Sequence, residues 1–170
     1  MPVSDQGLLS NRYTLVPRTL IFLTCDLRVL LLKGAPHKRL WAGRYNGLGG
    51  HIERGEDVLS SALRELNEET GIKDVDLWLC GVITIDAGQN TGVGLYVIRG
   101  ECPGSIQRKT SPDGTLEFVG QSELTNLPLV EDLPVLLPRV LAMHPGDPPF
   151  SAQYSYRDDG SLKIKFFGDD

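Results

Sequence analysis

Residues 50–72, GHIERGEDVLSSALRELNEETGI, decide the fold because they combine a helical apolar pattern with the glutamates Glu56, Glu65, Glu68 and Glu69. From residue 57 onward, aliphatic side chains recur at helical spacing and form one apolar stripe made of Val58, Leu59, Ala62, Leu63 and Leu66. At about 100° per residue, Glu65, Glu68 and Glu69 gather on the neighbouring face, with Glu69 only about 55° from the centre of the stripe. The stretch therefore predicts a helix that holds carboxylates beside its buried face.

Carboxylates that converge beside a buried face repel one another and resist leaving water, so they need a positively charged partner. A divalent cation such as Mg²⁺ or Mn²⁺ suits three of them, because hard cations prefer oxygen ligands. The alternative is a solvated helix face with i,i+4 pairs such as Arg64 with Glu68. That alternative explains neither the glycines at both ends of the stretch nor Glu65 and Glu69, so the pattern favours a metal site.

The spacing of these residues resembles the signature of the Nudix hydrolases, G-x5-E-x7-R-E-U-x-E-E-x-G-U, in which U is aliphatic. Every fixed position is filled, by Gly50, Glu56, Arg64, Glu65, Leu66, Glu68, Glu69, Gly71 and Ile72. At average residue usage, such a coincidence arises on the order of once in 10⁸ windows. The resemblance implies an α+β protein with the Nudix fold, an α/β/α sandwich around a mixed sheet. It also implies an enzyme that hydrolyses a phosphoanhydride with Mg²⁺, or with Mn²⁺ in its place.

The resemblance also assigns roles within residues 50–72, called the box below. Glu65, Glu68 and Glu69 would be the central metal ligands, supported by Glu56 directly or through water. Arg64 would orient a box glutamate through a charge-assisted hydrogen bond.

Two glycines and a later carboxylate complete this expected site. Gly50 would allow close approach of the backbone at the turn into the metal site, and Gly71 would end the helix. One box glutamate, or a carboxylate from a later loop, would act as the general base. Of the later candidates, Glu117 is preferred to Asp113.

Residues 41–56, WAGRYNGLGGHIERGE, resemble the same stretch in the MutT-type Nudix enzymes, which remove 8-oxo-dGTP from the nucleotide pool. In that group an asparagine hydrogen-bonds the base, and Asn46 occupies the matching position. An amide offers both a donor and an acceptor to a purine edge. The alternative is that Asn46 supports the turn at Gly47.

Further substrate contacts are expected from charged residues outside the box. The MutT-type group has an acidic residue before the second helix and a proline six positions later, a spacing that Asp132 and Pro138 reproduce, with Glu131 adjacent. The alternative for Asp132 is a helix N-cap. Lys38 and Arg44 are candidate phosphate contacts.

The expected reaction converts an oxidised purine nucleoside triphosphate, such as 8-oxo-dGTP, to the monophosphate and pyrophosphate. Other Nudix substrates remain open: ADP-ribose, NADH, a nucleotide sugar or a dinucleoside polyphosphate. The ADP-ribose group carries a proline about fifteen residues beyond the box, where this chain has Ala87 and Gly88. The dinucleoside polyphosphate group has a tyrosine slightly further on, where Gln89 and Asn90 stand. A non-catalytic nucleotide-binding module is the third interpretation, but such modules usually lose box glutamates that this chain retains.

Composition limits the classes of partner. The chain has 170 residues, a net charge of −5 and no basic run, which argues against a nucleic-acid duplex but not against a nucleotide substrate. Its three cysteines show no ligand spacing and are expected to be reduced thiols in a cytoplasmic protein. The longest apolar run is too short for a membrane span. A homodimer is left open.

The predicted organisation has three parts: a polar segment at 1–12, the hydrolase domain at 13–145 and a C-terminal extension at 146–170. Alternating and β-branched runs predict strands at 18–26, 27–33, 45–52, 75–86, 93–100 and 115–120. A loop is expected at 101–114 and a second helix at 133–143. The alternation on both sides of Asp159 and Gly160 predicts a β-hairpin over 151–167, which would lie over the substrate cleft or form a dimer contact.

Overall fold

A mixed β-sheet with one α-helix on each face is seen in the computed structural model, which describes residues 2–7, 11–88, 90–102 and 109–169. Within those ranges the strands are β1 Thr14–Cys25, β2 Arg28–Gly34, β3 Tyr45–Asn46, β4 Leu77–Asp86, β5 Thr91–Glu101, β6 Lys109–Ser111, β7 Gly114–Gly120, β8 Phe150–Tyr156 and β9 Leu162–Phe166. The helices are α1 Val58–Thr70 and α2 Leu133–Ala142, and short 3₁₀ turns span Val3–Gln6 and Gln121–Asn126.

The strands follow the order β6-β7-β2-β1-β5-β4-β8-β9, and β3 pairs with β2. Two pairs are parallel, β1 with β5 and β4 with β8, and the other strand pairs are antiparallel. This is the mixed sheet between helices that the sequence predicts, and the fold class is confirmed.

The strands β1 and β2 pair only next to their connecting turn and then diverge. The chain after β3 fills the gap between them, so that Leu48 bridges Ile21 on β1 while Asn46 pairs with Leu32 on β2. The carbonyl of Gly50 accepts the backbone N–H of Thr19 at 2.9 Å. This segment, residues 47–50 and called the wedge below, fixes the start of the box against the centre of the sheet.

Two apolar clusters, one on each face of the sheet, form the core. The α2-side cluster combines Leu133, Leu136, Leu137 and Val140 of α2 with residues that include Leu20, Phe22, Ile83, Val97 and Tyr154. The α1-side cluster combines Ala62 and Leu66 of α1 with residues that include Ile21, Leu23, Leu30 and Ile98. Successive residues of β1 thus enter opposite clusters, which explains its continuous apolar run.

Helix α1 begins and ends at identifiable residues. The Asp57 carboxylate accepts the backbone N–H of Leu59 at 2.9 Å and that of Ser60 at 3.0 Å, which caps the first turn. Gly71 ends the helix, as predicted. The predicted apolar stripe is wrong at Leu59, which is 38% exposed, because the face that meets the sheet runs through Ser61, Ala62 and Leu66 instead.

The predicted elements and the observed ones differ in several places. Strand β1 begins at Thr14, four residues before its predicted start. The predicted strand at 45–52 is reduced to Tyr45–Asn46, because only these residues make ladder pairs with β2. The predicted loop at 101–114 contains β6, a short strand paired with β7; residues 103–108 lie outside the described ranges. Within the predicted polar segment at 1–12, residues 3–6 form a 3₁₀ turn, and residues 1 and 8–10 lie outside the described ranges.

The C-terminal hairpin is confirmed, and its place is now defined. Strand β8 pairs in parallel with β4, so that the hairpin extends the central sheet by two strands. The three-part division at residues 12 and 145 stays a prediction. The thiols of Cys25 and Cys80 form no disulfide. No helix in the described part of the chain is long and apolar enough to cross a membrane.

Candidate active site

Arg64 links Glu56, which precedes α1, to Glu65 within that helix. Its Nε donates to Glu56 Oε1 at 2.6 Å and its Nη2 to Glu56 Oε2 at 2.9 Å, a bidentate pair, while its Nη1 donates to Glu65 Oε1 at 2.8 Å. The hydrogen bonds from Arg64, followed by one from the backbone N–H of Glu53, lower the pKa of Glu56 to about 2. Glu56 is therefore held ionised, and Glu65 is hydrogen-bonded to the same guanidinium.

The same arginine anchors the helix to the chain that precedes it. Its Nη2 also donates to the carbonyl of His51 at 3.0 Å, which connects α1 to the wedge between β1 and β2. Glu68 lies 3.5 Å from Arg64 Nη1, but its side chain is 59% exposed. Glu68 thus stands at the margin of the cluster rather than inside it.

Glu69 is the most deeply placed carboxylate of the box. Its Oε1 accepts the backbone N–H of Gly49 at 3.4 Å, and its Oε2 is buried without a hydrogen-bond partner. Burial raises the pKa of Glu69 to about 7; the charges of Glu65 and Asp113 add to this effect, whereas the Gly49 N–H and Lys38 oppose it.

Two glycines give these carboxylates access to the backbone. Gly49 has φ +126°, a conformation that L side chains rarely adopt, and a Cβ there would collide with the carbonyl of Thr19. A Cβ at Gly50 would overlap the carboxylate of Glu65. The Gly-Gly pair is therefore required for Glu65 and Glu69 to approach the wedge.

The donor set fits a hard divalent cation. Across the described residues, no three acidic, histidine or cysteine side chains converge with metal-ligand spacing. Arg64 accounts for this, because it engages both oxygens of Glu56 and one of Glu65. The unpartnered, buried Glu69 Oε2 and the remaining oxygen of Glu65 are carboxylate donors of the kind that Mg²⁺ and Mn²⁺ prefer.

The later carboxylate beside this cluster is Asp113 and not Glu117. Asp113 forms an ion pair with Lys38, and its charge contributes to the raised pKa of Glu69. Glu117 accepts the Tyr45 hydroxyl at 2.8 Å and pairs with Leu31, a member of the α2-side cluster. The geometry therefore reverses the preference for Glu117, because the register of β7 directs that side chain to the other face.

The two residues expected to contact phosphate, Lys38 and Arg44, lie in different surroundings. Lys38 lies at the carboxylate cluster, where its charge acts on Glu69. Arg44 is exposed, and among the described hydrogen bonds and ion pairs its side chain has none to the cluster. The structure thus brings Lys38, but not Arg44, to the box.

Asn46 supports the turn at Gly47, the alternative to its predicted contact with the base. Its Oδ1 accepts the backbone N–H of Gly47 at 2.8 Å, which leaves the amide nitrogen for another partner. No described hydrogen bond joins Asn46 to Asp132.

Asp132 does not act as an N-cap. Its backbone is already helical, with φ −85° and ψ −25°, and its side chain makes no capping hydrogen bond. Burial raises the pKa of Asp132, the charge of Glu131 adds to the effect, and backbone N–H groups offset it in part. Glu131 itself is exposed. The half-buried acid before α2 thus lacks the structural role that would explain it.

Comparisons with known proteins agree with this geometry. The NUDIX domain profile matches residues 14–139. The chain belongs to the Nudix family. The predicted resemblance to the Nudix family is therefore confirmed.

The curated relatives include two proteins named oxidized purine nucleoside triphosphate hydrolase. The Mus musculus protein is 38% identical over 68 residues, 40% of this chain and 42% of the relative. The Danio rerio protein is 32% identical over 84 residues, 49% of this chain and 53% of the relative. This Nudix chain thus matches about half the length of these relatives.

The crystal structure of the Bacillus halodurans mutator MutT protein shares the Nudix fold. It superposes with a TM-score of 0.70 at 24% identity, covering 92% of this chain and all of that one.

Sequence reasoning missed two contributors to the site, the Asp57 cap and Gly49, and it ranked a third, Asp113, below Glu117. The signal for the cap was Asp57 itself, an acid directly before the first apolar residue of the helical pattern. Gly49 and Asp113 carry no comparable local signal, since one depends on a backbone conformation and the other on strand register.

Proposed function

We propose that this Nudix protein hydrolyses a phosphoanhydride bond of an oxidised purine nucleoside triphosphate such as 8-oxo-dGTP, releasing the nucleoside monophosphate and pyrophosphate. The observation that carries the proposal is that Glu65 and Glu69 meet the Gly49–Gly50 backbone, with Glu56 tied to Glu65 through Arg64. Arg64 balances Glu56 and Glu65, but the buried Oε2 of Glu69 has no hydrogen-bond partner, so a divalent cation beside it would be favourable. The names of the curated relatives support the choice of substrate.

Glu65 and Glu69 would hold the cation, with Glu68 and Glu56 completing the set. A bound Mg²⁺ would neutralise the charge of the phosphates and lower the pKa of a bound water molecule. Glu68 is exposed and can turn toward incoming phosphates, whereas Glu69 is fixed by burial and by the Gly49 N–H.

The residues around the glutamates would have three further roles: orienting the ligands, contacting the phosphates and accepting a proton. Arg64 holds Glu56 and Glu65 in fixed orientations, so that ligand oxygens do not have to be ordered at each turnover. Lys38 supplies a positive charge that can meet the phosphates. Asp113, released from Lys38 when phosphates bind, would accept a proton from the attacking water.

On the substrate side, Asp132 and Asn46 are the residues proposed to read the base. Asp132 is a half-buried acid without a cap bond, and Asn46 keeps its amide nitrogen unused by the Gly47 turn. Together they offer an acceptor and a donor to a purine edge.

The test is pyrophosphate release with Mg²⁺ across 8-oxo-dGTP, the normal dNTPs, ADP-ribose, NADH and a dinucleoside polyphosphate. We expect kcat/KM for 8-oxo-dGTP to exceed that for dGTP. Glu69→Gln is expected to abolish turnover, whereas Glu101→Gln, an exposed glutamate at the end of β5, is expected to leave it unchanged. Turnover of ADP-ribose or NADH in place of the triphosphates would contradict the substrate assignment and keep the metal chemistry.

A further inference from the structure

Tyr154, in the middle of β8, is buried although its hydroxyl has no hydrogen-bond partner. Its side chain is only 2% exposed, and its oxygen is one of the few buried polar side-chain atoms in the described ranges left unpaired. Buried tyrosine hydroxyls are normally bonded, because an unpaired buried donor is unfavourable. Phenylalanine would fill the same volume without that cost, so packing alone does not explain the hydroxyl.

Tyr154 lies in a row of apolar residues on the α2 side of the sheet, which continues to Ile164 on β9. Register pairs place Val16, Val93, Ile85 and Tyr154 side by side across four strands. Val16 is 40% exposed, Val93 and Ile85 are half-buried, and Tyr154 is covered. The row is therefore an accessible apolar strip that leads to the tyrosine, a surface suited to a flat aromatic base.

Asp132 is the acidic residue whose charge acts on the Tyr154 hydroxyl. Burial, and after it the charge of Asp132, raise the pKa of Tyr154. The residue after Asp132, Leu133, packs in the same α2-side cluster as Tyr154. A buried donor and a half-buried acceptor without a cap bond thus lie in one small region, and neither is bonded to the other.

We propose that Tyr154 is a positioning residue for base recognition: in the nucleotide complex its hydroxyl donates to one oxygen of Asp132, while the other oxygen accepts an N–H of the purine. This inference rests on the proposed function, because a base has to reach Asp132. Donation from Tyr154 would add to the backbone N–H groups of Asp132 and Leu133 beside this carboxylate and would fix its rotation. A guanine-type edge presents N–H donors to the fixed oxygen.

The test is the binding of dGMP and 8-oxo-dGMP to the full chain in EDTA, measured by calorimetry, so that the metal ligands contribute nothing. Tyr154→Phe is expected to raise the Kd about tenfold, the effect of one hydrogen bond to a charged group. In an Asp132→Asn background the same substitution is expected to change the Kd less than about twofold, because Tyr154 acts through Asp132.

Tyr96→Phe is the matched control. It removes the same atom from β5, two residues before Ile98 of the α1-side cluster and so on the opposite face of the sheet. Its Kd is expected to equal that of the wild type. Unfolding is followed in parallel, and Tyr154→Phe is expected to be at least as stable as the wild type, which separates weaker binding from damage to the fold.

Unchanged binding by Tyr154→Phe would overturn the inference, and so would a tenfold loss that persists in the Asp132→Asn background. A wild type that hydrolyses purine triphosphates and binds their monophosphates regardless of Tyr154 would leave the proposed function standing. A wild type that neither binds these monophosphates nor hydrolyses the triphosphates would overturn both.

Discussion

Asp132→Asn is expected to stabilise the protein at neutral pH. The wild-type carboxylate is half-buried, makes no cap bond, and has a pKa above its ordinary value of 3.8 because of burial. An acid of this kind binds protons more tightly in the folded state than in the unfolded state. The wild type therefore loses stability as the pH rises from the ordinary pKa through the folded one. The asparagine variant has nothing to ionise and keeps its stability across that window.

The size of the effect follows from the burial of one incompletely bonded polar group, about 1 kcal/mol. In a chain of this length that corresponds to an increase of roughly 2–4 °C in the melting temperature. Thermal unfolding of both proteins from pH 4 to pH 8 measures it, and the difference is expected to grow with pH. Glu131→Gln, the exposed neighbour, serves as the control with a smaller shift. An asparagine variant less stable than the wild type at pH 8 would refute the reasoning.

Other substitutions test the metal cluster and the core. Gly50→Ala is expected to lower Mg²⁺-dependent turnover at least about a hundredfold, because the new Cβ displaces the Glu65 carboxylate; Gly88→Ala, where an added Cβ would meet only the Thr91 carbonyl at 3.9 Å, is the activity control, and equal losses would contradict the argument. Glu69→Gln is expected to weaken Mn²⁺ binding, followed by paramagnetic relaxation, without loss of folding; unchanged binding would exclude Glu69 as a ligand. The Cys80 thiol, whose pKa burial raises to about 11, is expected to resist alkylation at pH 8 until the chain unfolds, and rapid labelling of the native protein would contradict its placement.

The pairing of Arg64 with box glutamates could be predicted because its signal is local. The box glutamates lie on one helix and its N-terminal turn, so their spacing alone determines which of them converge. Gly71 and the hairpin turn at Asp159–Gly160 were predicted for the same reason, since each depends on a few consecutive residues.

Features that depend on strand register escaped prediction. Asp113 and Glu117 are four residues apart, and only the pairing of β7 with β2 decides that Glu117 faces the α2-side cluster. The Leu59 error has a similar cause, because apolar spacing does not reveal that a small residue, Ser61, faces the sheet. The helical backbone of Asp132 likewise depends on how the preceding chain meets β3.

The parallel pairing of β8 with β4 makes the last 20 or so residues indispensable, although the family profile ends at residue 139. Ala152, Tyr154 and Phe166 are buried in the same cluster as α2, so a chain shortened after residue 145 would lose part of its interior. It would also present the bare edge of β4 to other molecules, a template for strand-to-strand aggregation. The exposed Lys163 and Lys165 on β9 place charge at the native edge instead, which discourages such pairing.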